Sequence, residues 1–144
     1  MTQLELATYI CRKAIGSKYF NFMAEGDVYD LNDIIIKDYT AGLVSFTGPH
    51  TDTGTLMRYR LSIFYFDRLT SDDSNSSQIY STGIEVLKNL VNDLRHDEYI
   101  LKVSDEIQYV PFSGVEAQVL SDRCCGVYCT LDITVKNNTT CFIV

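Results

Sequence analysis

The chain has 144 residues, of which 46% are hydrophobic and 22% are charged. This length fits a single domain over residues 1–144, since domains commonly hold about 100–200 residues, and the composition is too apolar for a disordered chain. Because 19 acidic residues outnumber 12 basic ones, the chain lacks the basic surface that sequence-specific DNA binding requires.

The sequence shows no membrane or export signal. No apolar run approaches the roughly 18–20 residues of a membrane helix. Residues Met1 to Glu5 also lack the basic and then apolar layout of a signal peptide. We therefore expect a protein that has no membrane partner and is not exported.

A first helix is predicted over residues 3–15. Thr2 and Glu5 match a capping box, in which each side chain accepts a hydrogen bond from the other residue's backbone N–H. Gly16 is placed to end the helix. Five apolar residues recur at helical spacing and are predicted to face the core: Leu4, Ala7, Cys11, Ala14 and Ile15.

Short strands are predicted to follow this helix. Residues 17–33 are rich in aromatic side chains and contain a turn at residues 25–27. Ile34–Ile36 and Leu43–Phe46 are two strand-like runs separated by a turn, a pattern that predicts a hairpin. Residues 47–56 are polar and rich in turn residues, which predicts an extended loop.

Residues 57–66 have the pattern of a central strand. Alternate residues from Met57 to Tyr65 are apolar, whereas the other face begins polar at Arg58 and ends apolar at Phe66. The strand is therefore predicted to pass from half-exposed to covered on both sides.

A second helix is predicted over residues 76–95. Asn75, with Gln78 three residues later, is typical of a helix cap. Gly83 inside the helix costs about 1 kcal/mol relative to alanine, which indicates close packing against the sheet. Five apolar residues are predicted to face the core: Ile84, Leu87, Leu90, Val91 and Leu94.

The rest of the chain is predicted to form strands. Ile107–Phe112 and Ala117–Leu120 are short candidates, and residues 127–136 alternate strictly between apolar and polar side chains. One face of this last strand is predicted to be core: Val127, Cys129, Leu131, Ile133 and Val135. The order of elements predicts an α+β fold, with a mostly antiparallel sheet and both helices packed on one face. An arm is predicted at about residues 137–144.

Cysteine is the residue type that most suggests chemistry. Cys124, Cys125 and Cys129 lie close together in sequence, but no second C-x₂-C pair accompanies them, so we expect no metal site. A pair formed by Cys124 or Cys125 with one of the two histidines, His50 and His96, is the best candidate for catalysis. The odd count of five cysteines favours reduced thiols in a cytosol.

Segments from most of the chain carry a resemblance to a known family: Phe20–Phe22, Gly26–Asn32, Phe64–Leu69, Asp72–Asn75, Gln78–Ile84 and Asp122–Tyr128. In this order they resemble neck proteins of tailed bacteriophages, of the tail-completion or tail-terminator type. The resemblance is to phages of Bacteroidetes hosts in particular, including crAss-like phages.

This resemblance implies a virion structural protein that is made in the bacterial cytoplasm and has no catalytic residues or cofactor. Such head–tail connector subunits assemble into a closed ring, usually of six or twelve copies. The ring lies between the portal or connector and the tail proteins, and DNA passes through its lumen.

A ring that closes by head-to-tail contacts requires two different complementary patches on each subunit. We expect the loop at 47–56 and the arm at 137–144 to supply them, because the apolar end of the arm would be frayed in a monomer. The candidate interface residues are His50, Asp52, Arg58, Arg60, Phe142, Ile143 and Val144.

Two other interpretations stay open from the sequence. The first is a small cytosolic α+β enzyme or ligand-binding domain that uses the Cys124/Cys125 region, and it predicts a pocket with a fast-reacting thiol. The second is a regulatory interaction module, which would bind a different protein and would not assemble with itself.

Overall fold

The computed structural model describes residues 1–27, 40–70, 72, 74–113 and 124–137. Within them lie two helices, α1 (Gln3–Gly16) and α2 (Ser76–Arg95). Seven strands form one sheet: β1 (Phe22–Glu25), β2 (Ala41–Phe46), β3 (Thr51–Asp52), β4 (Leu56–Arg68), β5 (Lys102–Val103), β6 (Tyr109–Ser113) and β7 (Cys124–Lys136). Both helices occupy the predicted ranges.

The sheet is built around the antiparallel pair of β4 and β7, which are in register over their full lengths. On the other edge of β4 lie β2 and β3, and on the other edge of β7 lie β5 and β6. The pairing of β1 with β2 is parallel, and all other pairings are antiparallel. The predicted α+β fold with a mostly antiparallel sheet is therefore confirmed.

Both helices pack on the same face of this sheet. Apolar residues of α1 and α2 share one core with alternate residues of β4, from Tyr59 to Tyr65, and of β7, from Cys125 to Val135. A Cβ atom added to Gly83 would lie 2.8 Å from Cδ1 of Tyr65. This confirms the close approach of α2 to the sheet, which was predicted from the glycine at position 83.

The second face of the sheet carries a smaller apolar cluster at one end. Its buried members are Ala41, Leu43, Phe64, Phe66 and Cys124. The rings of Phe64 and Tyr128 stack with centroids 5.1 Å apart. Along β4 the even-numbered residues change from exposed Arg58 to buried Phe66, so the predicted transition to burial on both sides is confirmed.

The predicted core stripe of α1 is partly wrong. Leu4 is 69% exposed and Ile15 is 47% exposed. The helix instead buries Leu6 and Ile10, together with two alanines that belong to both stripes. Because the alanines fit either orientation, the bulkier pair that meets the sheet decides how the helix is rotated.

Asn75 is the N-cap residue of α2, as predicted, but the predicted side-chain cap is wrong. Its side chain makes no capping hydrogen bond. Instead, its Oδ1 accepts from the N–H of Thr70 at 2.9 Å, and its Nδ2 donates to the carbonyl of Arg68 at 3.1 Å. Asn75 therefore closes the loop between β4 and α2.

Some predicted segments cannot be compared with the structure. Ile34–Ile36, Ala117–Leu120 and the arm beyond Asn137 lie outside the described residues. The predicted loop at 47–56 contains the two residues of β3. In the part of the chain that the structure covers, neither helix has the combination of length and apolar character needed to cross a membrane.

Candidate subunit interface

Four of the seven predicted interface residues lie at one end of the sheet. His50 and Asp52 precede β4, and Arg58 and Arg60 lie on its first half. The other three, Phe142 to Val144, lie outside the described residues. The predicted loop and the start of the predicted arm therefore meet where β4 begins and β7 ends.

A hydrogen-bonded clip joins the loop to Asn137. The carboxylate Oδ1 of Asp52 accepts from the N–H of Gly54 and from Nδ2 of Asn137, each at 2.7 Å. The backbone N–H of Asn137 donates to the carbonyl of Thr55 at 3.0 Å. Gly54 has φ +91°, which glycine adopts more readily than other residues. The clip fixes Asn137, the first residue of the predicted arm, against the loop.

The two arginines project from the face of the sheet away from the helices. Nε of Arg60 donates to Oδ1 of Asp132 at 3.1 Å, and this hydrogen bond raises the pKa of Arg60. Nη2 of Arg58 donates to Oγ1 of Thr51 at 3.4 Å. The Arg60 and Asp132 side chains are 48% and 32% exposed, so water screens the pair and it adds little to the stability of the fold.

His50 has an intramolecular role in the structure. Its Nδ1 accepts a hydrogen bond from the backbone N–H of Arg60 at 3.3 Å. Its ring meets those of Tyr59 and Phe46 edge-on, with centroids 5.1 and 5.8 Å away. These aromatic residues pack on the helix side, so the predicted interface residues share one end of the sheet but are divided between its faces.

The clustered thiols belong to the interior. Cys124, Cys125 and Cys129 are all buried. Cys124 lies in the cluster on the helix-free face, whereas Cys125 packs into the core beneath the helices. Neighbouring residues of a strand point to opposite faces, so these two adjacent thiols do not share a site.

The histidines lie far from Cys124 and Cys125. His50 accepts a hydrogen bond from Arg60, and Arg60 pairs with Asp132 of β7. Asp132 lies eight residues from Cys124, which is about 26 Å along the strand. His96 follows Arg95, whose guanidinium donates to the carbonyl of Ser104 at 2.7 Å. The N–H of Ser104 in turn donates to the carbonyl of Asp132, so His96 also lies at the end of the sheet far from Cys124. The described residues therefore do not assemble the predicted Cys–His pair, and they contain no group of three or more metal-binding side chains.

Iodoacetamide is expected to alkylate Cys129 at pH 8 about a thousandfold more slowly than a free thiol. Only the thiolate reacts, and burial raises the pKa of Cys129 to about 12. Peptide mass spectrometry would follow each cysteine separately, with the urea-unfolded chain as the control in which all five react. Fast labelling of Cys124 or Cys125 in the native chain would contradict their burial and favour the thiol-based enzyme.

Comparison of the sequence with models of known protein families gave no match, and comparison with curated proteins gave none either. The assignment of a function therefore depends on the clip, on the surfaces around it and on the resemblance noted from the sequence.

Proposed function

We propose that this chain is a structural subunit of a closed homo-oligomeric ring in the neck of a tailed bacteriophage. The ring contains six or twelve copies and joins the portal or connector to the tail, as the resemblance of the sequence to neck proteins implies. The net charge of −7 on each chain suits a ring through which DNA passes, because like charges keep DNA from adhering to the wall.

The clip between Asp52 and Asn137 is the observation that most supports this proposal. It holds together two segments that are separated by 85 positions in sequence. Both ends of the clip are exposed or half-exposed, so the hydrogen bonds organise surface and not core. A surface loop fixed to the base of an arm gives each subunit a defined direction in which to reach a neighbour, as a closing head-to-tail contact requires.

Light scattering behind size exclusion, in reducing buffer and at several protein concentrations, tests the proposal. We expect a species of six or twelve times the 16.3 kDa chain mass, and negative-stain images of it should show a ring with a central hole. A chain that stays monomeric or dimeric at every concentration would contradict self-assembly into a ring.

An Asp52→Ala variant connects this test to the clip. It is expected to shift assembly to at least about tenfold higher protein concentration, because Asn137 loses its partner and the arm loses its fixed direction. Asp105→Ala is the matched control, since this aspartate is also exposed but lies beside β5. Equal assembly of both variants would show that the clip does not contribute to the interface.

A further inference from the structure

An exposed apolar surface lies on the helix side of the sheet, near the end of β7. Leu4 is 69% exposed, Tyr99 is 58% exposed and Leu101 is 48% exposed. Met1 and Tyr9 are half-buried beside the core. We call these five residues the apolar corner.

One ring contact joins two residues of the apolar corner, and two hydrogen bonds attach the corner to β7. The rings of Tyr9 and Tyr99 meet edge-on with centroids 5.8 Å apart. The backbone N–H of Leu101 donates to the carbonyl of Thr134 at 2.9 Å, and the amino group of Met1 donates to the carbonyl of Lys136 at 2.8 Å. The apolar corner is therefore attached to the last residues of β7, immediately before the arm.

A cleft of about 400 Å³ runs along α1 from this corner. It is lined by Met1, Leu4, Glu5, Thr8, Tyr9 and Arg12. The distance along the helix from Leu4 to Arg12 is about 12 Å, which matches three or four residues of an extended chain. The helix α1 buries a separate apolar face against the sheet, so Leu4 in the cleft is not needed for the core. Exposed apolar patches of this kind commonly mark contact sites.

We infer that the apolar corner and its cleft bind residues 138–144 of a second copy of the chain. This segment ends in four apolar residues, Cys141 to Val144. Their extended length matches the cleft, whose apolar side chains are Met1, Leu4 and Tyr9. The inference rests on the proposed ring and names the surface that receives the arm. One patch of the head-to-tail contact is then the arm, and the other is the apolar corner.

The proposed ring requires the arm to bind a second copy and not the corner of its own chain, although Met1 of that corner lies beside Lys136. Asn137 directs the start of the arm towards β4. Its N–H extends the pairing of β7 with β4 by one residue, and its side chain bonds to the loop on the β4 side. Leu101 and β5 lie on the opposite edge of β7. The seven residues from 138 to 144 span at most about 23 Å, so the subunit that receives them must present its cleft within that distance of Asn137.

Two complementary variants test this inference. In Leu4→Glu the corner is charged while the arm is intact, and in a chain lacking residues 138–144 the arm is missing while the corner is intact. Each variant alone is expected to be monomeric. A 1:1 mixture is expected to give a dimer of twice the chain mass and nothing larger, because only one corner and one arm are competent.

Suitable controls separate assembly from folding. Leu4 is mostly in water and a glutamate is favourable in the first turn of a helix, so Leu4→Glu is expected to melt within a few degrees of the wild type. Ile15→Glu places the same charge on an exposed apolar residue of α1, about 16 Å further along the helix, and is expected to assemble normally.

The failures of the inference and of the ring are distinguishable. If the wild type and both variants form rings, the inference is overturned but the proposed ring is supported. Monomeric variants that do not pair when mixed would show that the arm and the corner do not bind each other, which also overturns it.

If the wild type is itself monomeric, the ring fails, and a peptide of residues 137–144 decides the inference. The peptide should bind the full-length wild type and the truncated chain alike, with at least tenfold weaker binding when Leu4→Glu is added. Binding to the truncated chain alone would show that the arm occupies its own corner, which would overturn the inference. Absence of binding, or binding that Leu4→Glu does not weaken, would overturn the inference.

Discussion

A Gly126→Ala variant is expected to lose about 3 kcal/mol of unfolding free energy. Gly126 lies in β7 opposite Phe66. A Cβ atom at this position would overlap the carbonyl oxygen of Tyr65 and would lie 2.8 Å from Cα of Phe66. These are backbone atoms of the central strand pair, so no rotamer change relieves the overlap and the two strands must separate locally.

Urea unfolding followed by circular dichroism measures this loss. Gly16→Ala is the matched control, because nothing lies within 4 Å of a Cβ atom added there and the backbone has an ordinary negative φ. The control is expected to unfold within about 1 kcal/mol of the wild type. Equal midpoints for the two variants would contradict the close approach of Gly126 to β4.

The alternation of side chains predicted the centre of the fold well. In both β4 and β7 the apolar residues repeat every second position over many residues, and a one-residue slip would expose the whole set. The burial of Cys129, Leu131 and Ile133 in β7 follows that pattern. Such long periodic segments determine their own orientation without information from the rest of the chain.

The short elements depended on partners that are distant in sequence. The four residues of β1 have no strong alternation, and they form a strand because β2 pairs with them in parallel. The rotation of α1 also required the sheet, since two apolar stripes compete on that helix. Exposed Leu4 was therefore assigned to the core, although it lines the cleft along α1.

The candidate interface was predicted only as two separate segments. Turn residues predicted the loop and apolar residues marked the arm, but neither pattern shows that Asp52 reaches Asn137. The position of the two adjacent thiols was predictable in principle, because the alternation that starts at Val127 extends back to Cys125. Cys124 then belongs to the opposite face, as the structure shows.

Asp97→Asn is expected to lower the unfolding free energy by about 2–3 kcal/mol at pH 7. Asp97 follows α2, and its side chain is 3% exposed. It accepts hydrogen bonds from Nζ of Lys13 at 2.7 Å, from the hydroxyl of Tyr9 and from the backbone N–H of Tyr99 at 2.8 Å. An asparagine keeps the shape but removes the charge and one acceptor, so α1 loses its attachment to the end of α2.

The pH dependence of this loss identifies its electrostatic origin. Burial opposes ionisation of Asp97, but the hydrogen bonds from Lys13 and Tyr9 outweigh it and hold its pKa below the usual value near 3.8. The carboxylate therefore stabilises the folded chain fully above about pH 4 to 5, and this contribution is lost as the pH falls through the lowered pKa. Burial, together with the hydrogen bond to Asp97, raises the pKa of Tyr9 to about 12, so its hydroxyl still donates at neutral pH.

The difference in unfolding free energy between the wild type and Asp97→Asn should therefore shrink as the pH is lowered from 5 to 2. Asp105→Asn, which changes an exposed aspartate, should show no comparable difference at any pH. A loss that is the same at pH 2 and pH 7 would mean that Asp97 acts through packing and not through its charge. Because α1 also carries Leu4, attachment of this helix by Asp97 keeps the apolar corner in place. If the chain forms the proposed ring, Asp97→Asn should therefore weaken assembly along with stability.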